Sequence, residues 1–235
     1  MSKTKWKSFI AGQERGNFRF VSKQNPKTVF NVHYLGDRSI LDRETLDREN
    51  KKWALVSGSR NFKSSVPTMN LAMEISKDIL IFTGGAIGVD STVMLSLNDM
   101  KVPQVIMFYS GLDDPKPLTN VDNYIAVVDN GGLILTPFNK EHQYIKGDPL
   151  YRDDVMVELC NEVYIMHVNI QKNGDIYGGT AHTLRSALKK QKREKQRGNE
   201  FPVYVLNVPE HRVIIESAEF EGVTPLSVGF NILDK

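Results

Sequence analysis

Short, continuously apolar runs recur through the middle of the chain, separated by longer stretches whose apolar positions fall at helical spacing. The runs are WALVS (53–57), ILIFT (79–83), QVIMF (104–108), GLILT (132–136), EVYIMH (162–167) and PVYVL (202–206). Runs of this length without polar alternation predict strands buried on both faces, as in a parallel sheet. Helical spacing predicts helices over 67–77, 89–99, 119–130, 149–161 and 180–197. Their regular alternation predicts an α/β fold: an open, mostly parallel sheet with right-handed crossovers and helices on both faces.

The flanks are patterned differently. Residues 1–50 are polar with few periodic apolar positions, and TVFNVHYLG (28–36) and SILD (39–42) predict a strand and a turn leading inward. RVIIE (212–216) predicts an edge strand, and the final residues read as loop and tail. The chain is thus expected to comprise an N-terminal extension (1–50), a central domain (51–206) and a C-terminal edge strand with tail (207–235).

Composition narrows the class. The 235 residues are 40% hydrophobic and 25% charged, ordinary for a globular protein with a substantial core. No apolar run approaches the ~18 residues that span a bilayer. The basic N-terminus lacks an apolar stretch long enough for a signal peptide, so a cytoplasmic protein is expected. The single cysteine, Cys160, excludes an internal disulfide framework and a cysteine-rich metal site, and suits packing. With a net charge of only +2, an anionic partner would have to be met by local charge.

Ligands of open α/β sheets sit beyond the carboxyl ends of the strands, near the point where strand order reverses. The first core strand runs into Gly58, Ser59 and Arg60: close backbone approach, a hydroxyl and a fork suited to phosphate, with Lys63 nearby. The second runs into Gly84, Gly85, Ala86, Gly88 and Asp90, where the two leading glycines permit positive φ and successive N–H groups can form an anion nest. A helix starting near Gly88 aims its positive end the same way. Asp90, in its first turn, suits a capping role, the alternative being a hydrogen bond to a ribose or base. The spacing does not fit the dinucleotide pattern G-x-G-x-x-G, so a nicotinamide cofactor is not expected.

Later strand ends add Ser110, Gly111 and Asn120, then a long polar loop with Lys140, Lys146 and Arg152, and finally Gly178, Gly179 and Thr180 opening another helix. Tyr109, Phe138 and Tyr177, also near strand ends, have rings that could stack bases or pack at the rim. The helix end RSALKKQKREKQR (185–197) carries seven basic residues and one acid, which fits a solvated face or a nucleic-acid contact. His142, His167 and His182 are isolated in sequence, so no metal and no cofactor are assigned. No nucleophile–base pair is assembled from the sequence, no catalytic residue is assigned, and the reading is against an enzyme.

The ordered motifs resemble the DNA-processing protein A (DprA/Smf) family. FNVHYLGDRSIL followed by WALVSGSRN is similar to its aromatic strand, Gly-Asp and Gly-Ser-Arg. TGGAIGVDS resembles its Ser-Gly-Gly-Ala-x-Gly-Ile-Asp. SGLDDPKPLTN, LYRDDVMVELCNEVYIM and YGGTAHTLRSAL resemble later elements in the expected order, across roughly residues 28–206. The resemblance implies a Rossmann-like domain binding single-stranded DNA, a RecA-type recombinase as partner, and a homodimer. It further implies that Gly58, Ser59, Arg60, the loop 84–90 and Arg152 line a phosphate pocket. Where the family has Arg-Asn-Arg, this chain has Arg152, Asp153 and Asp154, and it resembles the bare core without accessory domains. The same superfamily includes the "lonely guy" phosphoribohydrolases, whose Pro-Gly-Gly-x-Gly-Thr-x-x-Glu is not matched by IYGGTAHTLRSA. Two readings stay open: a DNA-binding module, or a binder or sensor of a free nucleotide or nucleotide-derived molecule in the same pocket.

Overall fold

The computed structural model describes residues 2–21, 29–41, 52–62 and 65–228. In chain order the strands are β1 (Arg15–Val21), β2 (Val29–Gly36), β3 (Lys52–Gly58), β4 (Ile79–Thr83), β5 (Val105–Met107), β6 (Leu133–Thr136), β7 (Glu162–His167), β8 (Asn169–Ile170), β9 (Ile176–Tyr177), β10 (Val203–Leu206) and β11 (Val223–Leu226). The helices are α1 (Ser2–Ile10), α2 (Val66–Ile75), α3 (Val89–Asp99), α4 (Val121–Asp129), α5 (Asp148–Leu159), α6 (Gly179–Lys195) and α7 (Arg212–Ile215).

Among the described residues, nine strands form one sheet in the order β1-β2-β6-β5-β4-β3-β7-β10-β11. The seven from β6 to β11 are mutually parallel, and the β1–β2 hairpin joins antiparallel through β2 on β6. The chain builds outward from β3 to β6, then crosses back to place β7 on the other side of β3. Strand order therefore reverses at β3 and β7, and a crevice opens at their carboxyl ends.

Alternate residues of each parallel strand face opposite layers. Leu55, Phe82, Met107, Leu135, Ile165 and Val205 meet α5 and α6 through Val155, Met156, Leu184 and Ala187. Ala54, Val56, Ile81 and Met166 meet α2 and α3 through Leu71, Val93 and Leu97. Ile106 and Ile134 meet α4 and α1, where Trp6 is fully buried and donates its Nε1–H to the Leu112 carbonyl at 2.7 Å. The expected open α/β sheet with helices on both faces is what forms.

Three features differ from expectation. The polar N-terminal segment contains α1 and β1, whose inward Phe18 and Phe20 alternate with exposed Arg15, Asn17 and Arg19. RVIIE is not an edge strand: Arg212–Ile215 is a short helix following the turn Pro209–His211. A run of three apolar residues cannot separate one helical turn from a strand, and the preceding proline favours the helical start. The edge is instead β11, four residues long with Pro225 exposed within it.

Candidate functional site

The loops after β3 and β4 interlock. Gly58 lies against Val89, where a Cβ would run into the valine side chain. Gly88 has φ +101°, and a Cβ there would lie 2.6 Å from Arg60 Cα and from the Ser59 carbonyl oxygen. Two backbones in contact leave no volume for a side chain, which is why glycine stands at this crossing. Of the leading pair, Gly85 takes positive φ (+64°) but Gly84 does not. Gly84 is required sterically instead, because a Cβ would collide with the Arg152 guanidinium.

The interior side of the glycine loop is fully engaged. The Gly85 carbonyl accepts from Asn120 Nδ2 at 3.0 Å and from the Tyr124 hydroxyl at 2.7 Å. The Gly84 and Met107 carbonyls both accept from Arg152 Nη1, at 2.5 and 2.7 Å. Asp90 Oδ2 accepts the Ala86 N–H at 3.2 Å. Burial pushes the Asp90 carboxyl up to about 6, although Arg152 and the N–H groups of Ala86 and Gly84 favour its charged form. The protein's own carboxylate, in the first turn of α3, thus takes up a donor of the glycine loop that the sequence left for a ligand.

Arg152 is accordingly a brace beneath the site. It is 4% exposed, ion-paired through Nε with Asp153 at 2.8 Å, and lies over the Tyr109 ring at 5.6 Å. Asp153 and Asp154 tie α5 to α6: Asp153 accepts from Thr183 at 3.1 Å, and Asp154 from Ser186 at 2.6 Å with His182 2.9 Å away. Burial holds Asp153 above the usual carboxylate range. The acidic pair therefore closes a helix–helix contact near the start of α6, where Gly178 and Gly179 are exposed and Thr180 is buried.

The other expected residues divide clearly. Ser110 is buried and donates to the Asp114 carbonyl at 2.6 Å, and Gly111 packs on the 139–142 loop, so both are structural. Lys63 lies outside the described residues. Arg60, Lys140 and Lys146 are exposed, with Lys140 3.4 Å from Glu141. Ser59 is 6% exposed, and its Oγ lies 2.6 Å from His167 Nδ1 at the end of β7. That contact joins residues 108 positions apart, a serine–histidine pairing that chain spacing could not reveal.

The loop after β6 and the first turn of α5 add Tyr144 and Tyr151 to the rings of Tyr109 and Phe138 that the sequence singled out. Phe138 stacks on His142 at 4.4 Å, Tyr151 packs against Phe138 at 5.6 Å, and Tyr144 meets Tyr109 edge-on at 5.5 Å. Asp148 braces this loop, accepting the Ile145 N–H at 2.6 Å and pairing with His142 at 2.8 Å. Tyr144 and Tyr151 are each about half exposed. Their signal in the sequence was an aromatic cluster within one long polar loop.

The basic run of α6 lies away from this surface. Lys190 is buried, Arg193 pairs with Glu158 at 2.7 Å, and Arg197 with Glu194 at 3.4 Å. A recess of about 650 Å³ beside that end of α6, lined by Cys160, Asn161, Glu194 and Phe201, is at the amino end of the sheet, remote from the crevice. Among the described residues no three His, Cys, Asp or Glu converge as metal ligands, and no helix is long and apolar enough to cross a membrane.

A doubly wound sheet with interlocked glycine loops and an exposed arginine at its switch point defines a Rossmann-like protein. The model of the family described as DNA recombination-mediator protein A matches residues 27–195, and the chain belongs to that family. Among solved structures the fold is similar to DNA processing protein A from Helicobacter pylori, a protein that binds single-stranded DNA (TM-score 0.66, 23% identity, 92% of each chain covered). It is also similar to DNA processing protein A from Streptococcus pneumoniae (TM-score 0.65, 15% identity, 95% of this chain and 74% of that one). Among curated protein sequences none matches significantly.

Proposed function

We propose that the chain binds single-stranded DNA at the carboxyl-end crevice, in DNA processing or recombination. One observation carries the reading: exposed Arg60, whose backbone abuts Gly88, lies near Tyr109 on a surface that continues to the half-exposed rings of Tyr144 and Tyr151. An exposed cation beside accessible aromatic faces fits a polyanion with unstacked bases. In this reading Arg60 and Ser59 hold a backbone phosphate, Gly178 and Gly179 at the exposed start of α6 hold another, Lys140 and Lys146 follow the strand, and Tyr144, Tyr151 and Tyr177 stack bases. Arg152, Asp90 and Asn120 shape the loop without touching the strand. Family membership and the Helicobacter pylori relative support the ligand class. The same reading includes a homodimer as working unit and a RecA-type recombinase as partner.

A free nucleotide is favoured by one feature only: Asp90 already occupies part of the glycine loop, leaving few donors beyond the Ser59–Arg60 pair for phosphate. Titration of fluorescent oligo-dT across a salt series separates the two. The native protein should bind with a steep salt dependence, and Arg60→Ala should bind about tenfold more weakly with a slope shallower by about 0.7. No binding at low salt, or equal competition by thymidine monophosphate, would reject the DNA reading.

A further inference from the structure

Turns are ordinarily built from Gly, Pro, Asn, Asp or Ser, yet the turn between β4 and α3 carries Ile87, half exposed. A lone apolar residue on a surface is by itself ordinary. Ile87 differs in how its backbone is held. On one side the Gly85 carbonyl accepts from Asn120 and Tyr124, the Ala86 N–H donates to Asp90, and the Ala86 carbonyl accepts from Ser91 Oγ at 2.7 Å. On the other side the Gly88 carbonyl accepts from the Thr92 N–H at 3.0 Å and from Thr92 Oγ1 at 3.2 Å. An apolar side chain is thus presented to solvent from a backbone tied at both flanks, and little order remains to be imposed when a ligand covers it.

Its place in the fold supplies a second argument. Gly88, the next residue, meets the backbone of Ser59 and Arg60, so Ile87 stands one residue from the crossing that carries the exposed arginine. Both lie at the carboxyl ends of neighbouring strands, β3 and β4. A nucleotide joins an anion to a flat apolar face, and this corner offers a cation for the first and an aliphatic surface for the second. Contact with an aliphatic side chain asks for no particular hydrogen-bond pattern, so any base fits. In a duplex that face is already covered by the neighbours in the stack, and the contact is open only to an unstacked base.

We propose that Ile87 is a base-contacting residue of the crevice: a base of the strand whose phosphate is held at Arg60 lies against the Ile87 side chain, and this contact favours single-stranded over duplex DNA. The role rests on the single-stranded DNA reading above and adds to it a residue and a source of strand discrimination.

The test compares oligo-dT with an oligomer of the same length built from abasic tetrahydrofuran units, which keeps the phosphates and lacks the bases. Ile87→Ser should bind oligo-dT about fivefold more weakly, the loss expected when a base no longer covers part of the exposed isoleucine. Its salt slope should be unchanged, and it should bind the abasic strand and a duplex of equal length within about twofold of the native protein. Arg60→Ala, by contrast, should weaken both single strands and lower the slope. Ile87→Trp, which sets a broad ring in the same open position, should bind oligo-dT more tightly than the native protein. The indole it introduces should be quenched by oligo-dT and not by the abasic strand.

Unchanged oligo-dT affinity in Ile87→Ser overturns the proposal. Equal losses on oligo-dT and the abasic strand overturn it too, because Ile87 would then shape the loop without touching a base. If the native protein binds neither strand at low salt, the DNA reading falls, and thymidine monophosphate is compared with deoxyribose phosphate instead. A loss confined to the mononucleotide in Ile87→Ser keeps the base contact without DNA, and equal binding by native protein and variant removes it.

Discussion

Replacing Arg152 by methionine should unfold the protein more readily while the exposed cations stay in place. The guanidinium is buried, and Nη1 is shared between the carbonyls of Gly84 and Met107. Removing it leaves both acceptors without that donor, at about 1–3 kcal/mol each when no water replaces it. Asp153 loses its 2.8 Å counter-charge, and breaking a buried pair from one side costs about 3–5 kcal/mol. These terms overlap, and methionine returns part of the loss by filling the volume without desolvating a charge. Asp153, already held above the usual range by burial, limits the electrostatic part by taking up a proton. The expected net loss is about 3–5 kcal/mol. Urea unfolding followed by tryptophan fluorescence should show it, since Trp6 is fully buried against Phe108 and Tyr124. Arg152→Met with Asp153→Asn should lose less than the two single changes summed, by about 1–2 kcal/mol, because the stranded charge is gone. If Arg152→Met stayed within about 1 kcal/mol of the native protein and yet lost oligo-dT binding, Arg152 would be a ligand group and the brace assignment would be wrong.

Two further outcomes come from buried charges. Asp90, raised from 3.8 to about 6, contributes stability that is complete below pH ~4 and is lost as pH rises through ~6. Asp90→Asn should therefore gain on the native protein by about 2–3 kcal/mol between pH 4.5 and 7.5, and a constant difference in unfolding free energy would refute this. Lys190 Nζ donates to the carbonyls of Val157, Glu158 and Cys160 at 2.8, 3.1 and 2.6 Å, closing the end of α5. Lys190→Met should cost about 3 kcal/mol and speed amide exchange in the last turn of α5, with oligo-dT affinity unchanged.

The central sheet was legible because strands buried on both faces need no alternation and appear as uninterrupted apolar runs. ILIFT and EVYIMH match β4 and β7 end to end. The hairpin and α1 were hidden for opposite reasons. β1 has a solvent side, so its two inward phenylalanines sit among arginines, and α1 buries only Trp6 and Ile10. In the site, glycines announced close backbone approach, and the Gly58–Val89 and Gly88–Arg60 contacts are of that kind. Charged residues announced less. Whether Arg152 faces a ligand or the underside of a loop depends on carbonyls 68 and 45 positions away, and no local pattern encodes that. Asp153 and Asp154, which stand where the family has Asn-Arg, belong to the junction of α5 and α6.

Both rims of the nine-stranded sheet make poor templates for another chain. β11 is only four residues long with a proline in its middle, and β1 carries Arg15 and Arg19 along its outer course. Short, proline-interrupted or charged edges resist strand addition. Self-association in this architecture is therefore a matter for helix faces and loops, and an assembly built through them leaves the rims of the sheet as they stand in the single chain.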